Sequence, residues 1–145
     1  MKKIGMIAII AIIALSVVAC KSTGKSKDSD ADLKKTYDRY YGDLILDGAE
    51  TYTVVSGDTL SEIAAAKYGN LHYYPVIMLA SKNVVVDPDK ISVGMKLTIP
   101  VLKTNLDDNK ARGSIKKCLN EIAKIEANRG RTGVAEKMRE LSKSL

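Results

Sequence analysis

The segment from Thr51 to Pro100 constrains the fold most, because two alternating apolar stretches bound it and turn and cap signals divide it. Tyr52 and Val54 alternate with Thr53 and Val55, the period of a half-buried strand, and Ser56-Gly57-Asp58 ends the stretch with turn-forming residues. Thr59 and Glu62 have the spacing of a capping box. Leu60, Ile63, Ala64 and Tyr68 then give the following helix an apolar face until Gly69-Asn70 stops it. Pro75 suits the first turn of a second helix, with Ile77 and Ala80 among its buried positions. Asp87-Pro88-Asp89 and Gly94 form turns around Ile91. Met95, Leu97 and Ile99 alternate with Lys96 and Thr98 as a second strand, which Pro100 closes. The order strand, helix, helix, strand places the chain in the α+β class.

The N-terminal segment 1–19 has a different composition. Met1-Lys2-Lys3 followed by the apolar run Ile4 to Ala19 reads as a secretion signal, and the run is short of the roughly 20 residues of a comfortable membrane span. Val17-Val18-Ala19-Cys20 resembles the bacterial lipobox, which implies cleavage before Cys20 and acylation of that cysteine, for example by palmitate. An uncleaved signal anchor would reach the same membrane by a different linkage. Residues 20–50 then comprise the cysteine, a tether and a short helix. Lys21 to Asp30 has the composition of a flexible linker with an average reach of about 17 Å. Asp30 suits the cap of a helix from Ala31 to about Tyr41, in which Leu33, Tyr37 and Tyr40 share a face. Gly42 and Gly48 bracket Leu44-Ile45-Leu46, a candidate extended strand.

The tail, 101–145, reads as two amphipathic helices joined near Asn128 to Gly133. Ala111, Ile115, Cys118, Leu119, Ile122 and Ile125 follow one helical period, and Val134, Met138, Leu141 and Leu145 follow another. Two short helices bury too little surface to be stable alone, so they are expected to pack on each other, on the preceding domain or on a partner. Charge is distributed unevenly: residues 21–50 have six basic and seven acidic side chains, 51–100 have four of each, and 101–145 have eleven basic against six acidic. With Cys20 acylated, Cys118 has no partner for an intrachain disulfide and reads as a small core residue. No metal-ligand set assembles around the single histidine, His72, and no cofactor is expected.

Tyr52-Thr53-Val54-Val55-Ser56-Gly57-Asp58-Thr59-Leu60-Ser61-Glu62-Ile63-Ala64 resembles the opening of a LysM domain. Asp87-Pro88-Asp89-Lys90-Ile91-Ser92-Val93-Gly94-Met95-Lys96-Leu97-Thr98-Ile99-Pro100 resembles its close. The resemblance covers 51–100 and implies a βααβ fold that binds N-acetylglucosamine-containing polymers, in bacteria chiefly peptidoglycan. It further implies a shallow groove with Gly57, Asp58, Thr59 and Leu60 on one wall and Val85, Asp87, Pro88 and Ile91 on the other. An N-acetyl sugar offers an amide donor, an amide acceptor and a methyl group, which suits backbone groups set beside Leu60, Val85 and Ile91. Two positions depart from the family pattern. Tyr74 replaces a common tryptophan, and Ser81, with fewer hydrogen-bonding options, replaces an asparagine that organises the following loop.

The leading functional reading is therefore a non-catalytic envelope lipoprotein that links a bacterial membrane, on its periplasmic side, to peptidoglycan glycan strands. Nucleic acid is not among the expected partners. An enzyme would need its catalytic domain within the 45 residues after Pro100, which contain no histidine. Glu121 and Glu126, five apart, point in different directions on a helix and do not suggest a glycosidase pair. The alternative is an assembly protein whose tail, over 105–145, binds another envelope protein. An apolar stripe exposed on the tail helices would favour that reading, and a stripe buried against the domain would favour the wall binder. If Cys20 is the acylation site, Cys20→Ser abolishes acyl labelling and leaves a released or unprocessed chain. Normal lipid incorporation in this variant would refute the anchor.

Overall fold

The structure, a computed structural model, describes residues 24–145, so the segment read as a secretion signal, Cys20 and the first residues of the expected tether lie outside the described residues. Helix α1 (Gly24–Tyr40) precedes β1 (Glu50–Thr53), α2 (Leu60–Tyr68), α3 (Tyr74–Ala80) and β2 (Lys96–Ile99); α4 (Leu102–Asp107), α5 (Asn109–Asn128) and α6 (Thr132–Ser144) follow. The strand, helix, helix, strand order of 51–100 is as expected. β1 and β2 pair antiparallel, with Tyr52 opposite Leu97 and Thr51 opposite Thr98. The ladder continues past Thr53, because the Val54 amide donates to the Met95 carbonyl (2.9 Å) and the Gly94 amide donates to the Val54 carbonyl (2.8 Å). Leu97 and Ile99 are buried and Lys96 is exposed, as the alternation requires.

Local chemistry sets the helix ends. Thr59 caps α2: its Oγ1 accepts from the Glu62 amide (3.2 Å), and its hydroxyl donates to Glu62 Oε2 (2.8 Å). Gly69, at φ +73°, ends the helix in the left-handed region, and its amide donates to the Ala65 carbonyl. Pro75 lies in the first turn of α3 as expected. All seven residues of α3 are buried, however, and not only one face. A two-stranded sheet and α2 cannot surround a helix, so other elements must cover it.

Helix α1 supplies that cover. It packs against both α3 and α5, while α5 and α6 form the most extensive helix pair. Leu33 and Tyr37 are buried, and the Tyr37 hydroxyl donates to Met78 Sδ of α3 at 3.4 Å. Burial, chiefly, pushes the Tyr37 phenol well above its ordinary pKa, with the nearby Cys118 thiol adding to the effect. The tail stripe is buried in the same core: Ile115, Cys118, Leu119 and Ile122 from α5, with Ala135, Met138 and Leu141 from α6, and Ala111 of α5 is also buried. Ile125, Val134 and Leu145 are partly buried against it. Cys118 is a free, buried thiol whose pKa is raised first by burial and then by Glu121.

Three expectations need correction. The helix expected from Ala31 begins at Gly24, so the described part of the expected tether is helical throughout, and Asp30 is not its cap. Asp30 instead accepts from Lys90 (2.7 Å) and from Arg129 (2.7 Å), contacts that hold this turn of helix against the domain and the tail. Leu44-Ile45-Leu46 forms no strand. Its backbone is met by a side chain: the Ile45 amide donates to Asn105 Oδ1 (2.8 Å), and Asn105 Nδ2 donates to the Ile45 carbonyl (2.9 Å). Asn105 is fully buried and satisfies the peptide as a neighbouring strand would. It belongs to α4, a third helix in a tail expected to hold two.

Charge pairing between segments accounts for part of the uneven charge distribution. Basic tail residues meet acids from earlier segments: Lys110 with Asp43 (2.8 Å), Arg129 with Asp30 (2.7 Å) and Arg131 with Asp89 (2.6 Å). In the opposite sense Arg39 of α1 pairs with Glu121 of α5 (2.7 Å), which also accepts from Tyr40 (2.7 Å) and Thr36 (3.2 Å). Among the described residues no helix is long and apolar enough to cross a membrane. Because Ile122 of α5 is buried in the core, Ile122→Ala should destabilise the protein by about 2–4 kcal/mol. Denaturant unfolding measures this, and an unchanged midpoint would show that α5 does not pack as described.

Candidate functional site

Two turns shape one face of the α2–α3 layer. In the first, Gly57 has φ +93°, and an added Cβ would meet no atom within 4 Å, so it is the backbone conformation that calls for glycine. Asp58 closes this turn: its Oδ2 accepts from the Val55 amide (2.8 Å) and from the Tyr52 hydroxyl (2.9 Å). That bond, with a smaller contribution from burial, raises the Tyr52 phenol above its ordinary pKa. Thr59 follows in extended conformation as the cap of α2.

The second turn starts from Ser81, which is buried at the end of α3. Its carbonyl accepts from the Val84 (2.8 Å) and Val85 (3.1 Å) amides, and its hydroxyl oxygen accepts from the Thr98 amide (2.8 Å). The shorter side chain therefore still joins the loop to β2. Asp87 organises the next residues: its Oδ1 accepts from the Asp89 amide (3.0 Å), and its Oδ2 faces Lys90 Nζ at 3.4 Å. Burial works to raise the Asp87 carboxyl, but the Asp89 amide and the Lys90 ammonium outweigh it and hold the pKa below the ordinary value.

Between the two turns lies a groove of about 620 Å³. Asp58, Thr59, Leu60 and Ser61 form one wall, and Pro88, Asp89 and Ile91 form the facing one. Leu71, His72 and Tyr74 line it from the segment between α2 and α3. Burial, with Glu126 as a lesser cause, pushes the Tyr74 phenol up to about 12. Arg131, Val134 and Lys137 also line the groove, and all three come from the tail. Arg131 donates to Asp89 (2.6 Å) and to Glu126 Oε1 (3.2 Å), so the second wall is tied directly to the tail. Glu126 is almost fully buried between Arg129 and Arg131; burial raises its pKa, and the two guanidinium groups offset only part of that rise.

Of the eight residues singled out in the sequence, the structure brings Asp58, Thr59, Leu60, Pro88 and Ile91 to this groove, and Gly57 immediately precedes the lining stretch. Val85 and Asp87 are not among the lining residues. Val85 is 2% exposed in the core while Val84 beside it is 46% exposed, a choice that the run of three valines does not reveal. The Asp87 carboxylate is engaged by its own loop. Sequence reasoning missed Leu71, His72 and the tail residues. Val134 did show a signal, an apolar helical position, but the same signal marks the buried Met138 and Leu141. Leu60, Leu71, Ile91 and Val134 are apolar lining residues that stand beside hydroxyl, imidazole and charged side chains. That combination fits a polyhydroxylated ligand bearing a small apolar substituent.

A LysM domain is found at residues 52–100, where the chain matches the model of that family. A potassium binding protein of Escherichia coli is 48% identical over 52 residues, which are 36% of this chain and 35% of that protein. An esterase of Mycobacterium tuberculosis, matched in two strains, is 48% identical over 56 residues, 39% of this chain and 12% of the esterase. The chain thus spans about a third of the one relative and about an eighth of the other. No solved structure matches it.

The lowered Asp87 pKa has a testable consequence. In the folded protein this carboxyl holds its charge to lower pH than in the unfolded chain. Its contribution to stability is therefore complete at neutral pH and is lost as pH falls through the folded value. Asp87→Asn should be less stable than the wild type at pH 7, and the gap should narrow below about pH 4. Thermal unfolding of both proteins across that range measures it; a gap that stays constant with pH would mean that the charge of Asp87 contributes nothing.

Proposed function

We propose that the protein is a non-catalytic envelope lipoprotein that binds peptidoglycan glycan strands in the groove between the Gly57–Leu60 and Pro88–Ile91 turns. In this reading it is held to a bacterial membrane through acylated Cys20, facing the periplasm. LysM domains bind peptidoglycan and other N-acetylglucosamine-containing glycans. The observation that supports the assignment to this groove is its lining, in which Thr59, Leu60 and Ser61 from the first turn and Pro88 and Ile91 from the second loop border one cavity. The similarity to the mycobacterial esterase supports no catalytic role, because it extends over 12% of that protein and is the size of the LysM segment. One domain should bind a short oligosaccharide weakly. Repeats along the polymer and confinement of the protein at a membrane raise the effective concentration without new contacts.

The alternative, a tail that recruits another envelope protein over 105–145, loses its main argument, because Ile115, Leu119, Ile122 and Met138 are buried against the rest of the chain. The test is retention on purified peptidoglycan of the chain beginning at Lys21, which keeps every described element. Asp58 and Asp87 are poor choices for mutation because both carboxylates hold their own turns. Leu71 is 45% exposed and lines the groove, and Ile91 is partly exposed. Leu71→Asn and Ile91→Asn should each weaken binding by about 1–2 kcal/mol, roughly fivefold to thirtyfold, with the fold retained by circular dichroism. Folded variants with wild-type retention would show that the glycan does not bind in this groove.

A further inference from the structure

The groove is not built by the LysM domain alone. Of its lining residues, Arg131, Val134 and Lys137 belong to α6 and the turn before it, more than 30 residues beyond the end of the domain match at residue 100. We propose that α6 is a third wall of the saccharide site, with Val134 and Lys137 as ligand-contacting residues and Arg131 as a positioning residue. This rests on the glycan reading given above and extends it from the domain to the tail. The ligand class is an N-acetylhexosamine polymer.

The chemistry of each residue supports its role. Val134 is half-buried, whereas Ala135 and Met138 on the same helix are fully buried, so it presents apolar surface without being needed at the centre of the core. With Leu60 and Ile91 it lines the groove with branched aliphatic groups suited to an acetyl methyl. The Lys137 ammonium has three donors and uses one on Glu140 Oε2 at 2.8 Å. That pair is more than half exposed on both sides, so it holds Lys137 only weakly and leaves donors for a sugar hydroxyl or the amide carbonyl. Arg131 is engaged on both sides, by Asp89 and by Glu126. It therefore acts through Asp89, fixing the loop that carries Pro88 and Ile91 at a set distance from α6. Lys90 braces the same loop from the other side, bridging Asp87 (3.4 Å) to Asp30 of α1 (2.7 Å).

The chain beginning at Lys21 is titrated with N-acetylglucosamine oligomers and pulled down with purified peptidoglycan, alongside Val134→Asp, Lys137→Ala, Arg131→Ala and, as a control, Arg139→Ala. Arg139 is exposed on α6 and does not line the groove. Lys137→Ala should weaken binding about threefold to tenfold, the range for one hydrogen bond, and Val134→Asp at least as much. Arg139→Ala should leave it unchanged. Arg131→Ala should weaken binding and also speed amide hydrogen exchange in residues 87–91, a change that Lys137→Ala should not produce. Lys137→Ala tests contact separately from folding, because the Lys137–Glu140 pair is on the surface. Loss of binding in Leu71→Asn and Ile91→Asn, with wild-type affinity in both the Val134 and Lys137 variants, would overturn the third wall and leave the groove reading intact. A wild-type chain that binds neither probe would overturn the glycan reading, and this inference with it.

Discussion

The packing of α1 between the LysM domain and the tail is the contact on which the rest of the structure depends. Leu33 and Tyr37 enter a core shared by α3 and α5, and Thr36, Arg39 and Tyr40 meet Glu121 along its edge. A two-stranded sheet with two short helices has a small interior, and below about 70 residues a single core seldom supplies more than a few kcal/mol. Here the interior continues from β2 through α3 and α1 into α5 and α6 as one cluster. The seven buried residues of α3 follow from this arrangement, since the helix lies inside the molecule and not on its surface.

A second layer of organisation is electrostatic. Glu126 lies buried beside Arg129 and Arg131, and these two reach Asp30 of α1 and Asp89 of the domain. Three segments far apart in sequence thus meet at one turn, between α5 and α6. Breaking one partner of a buried charge set is costly because the others are left without compensation. The turn therefore fixes the loop from Asp87 to Ile91, and with it one wall of the groove. A groove whose wall is braced by residues outside its own domain is pre-organised in a way that the domain sequence alone does not encode, and pre-organisation lowers the cost of binding.

The groove's own chemistry is mostly local. Thr59 serves both as helix cap and as wall, and Asp58 closes a turn with its carboxylate while still lining the cleft. Such double use explains why loop residues of this kind are hard to assign from sequence: the residue that makes the turn and the residue that would meet a ligand are the same. Ser81 shows the converse. Its side chain has fewer hydrogen-bonding options than the asparagine of the family pattern, yet its backbone carbonyl and hydroxyl together anchor the loop and β2.

Where a cap, stop or alternation is decided within a few residues, the sequence by itself determined most of the outcome, the expected Asp30 cap being the exception. The alternation of Met95, Leu97 and Ile99, the Thr59–Glu62 cap, the Gly69 stop and the Pro75 start are short-range effects, and each appears in the structure where the pattern places it. The tail's helical periods are of the same kind. What only the tertiary structure decided depends on contacts between distant segments. Asn105 took the place of a strand partner for Ile45, because a part-buried backbone accepts any group with one donor and one acceptor in register. Val85 turned inward and Val84 outward, since three consecutive valines carry no period and the core beneath chose among them. Arg131, Val134 and Lys137 reached the groove because α6 packs beside it, and helical periodicity shows which residues share a face without showing what that face will meet.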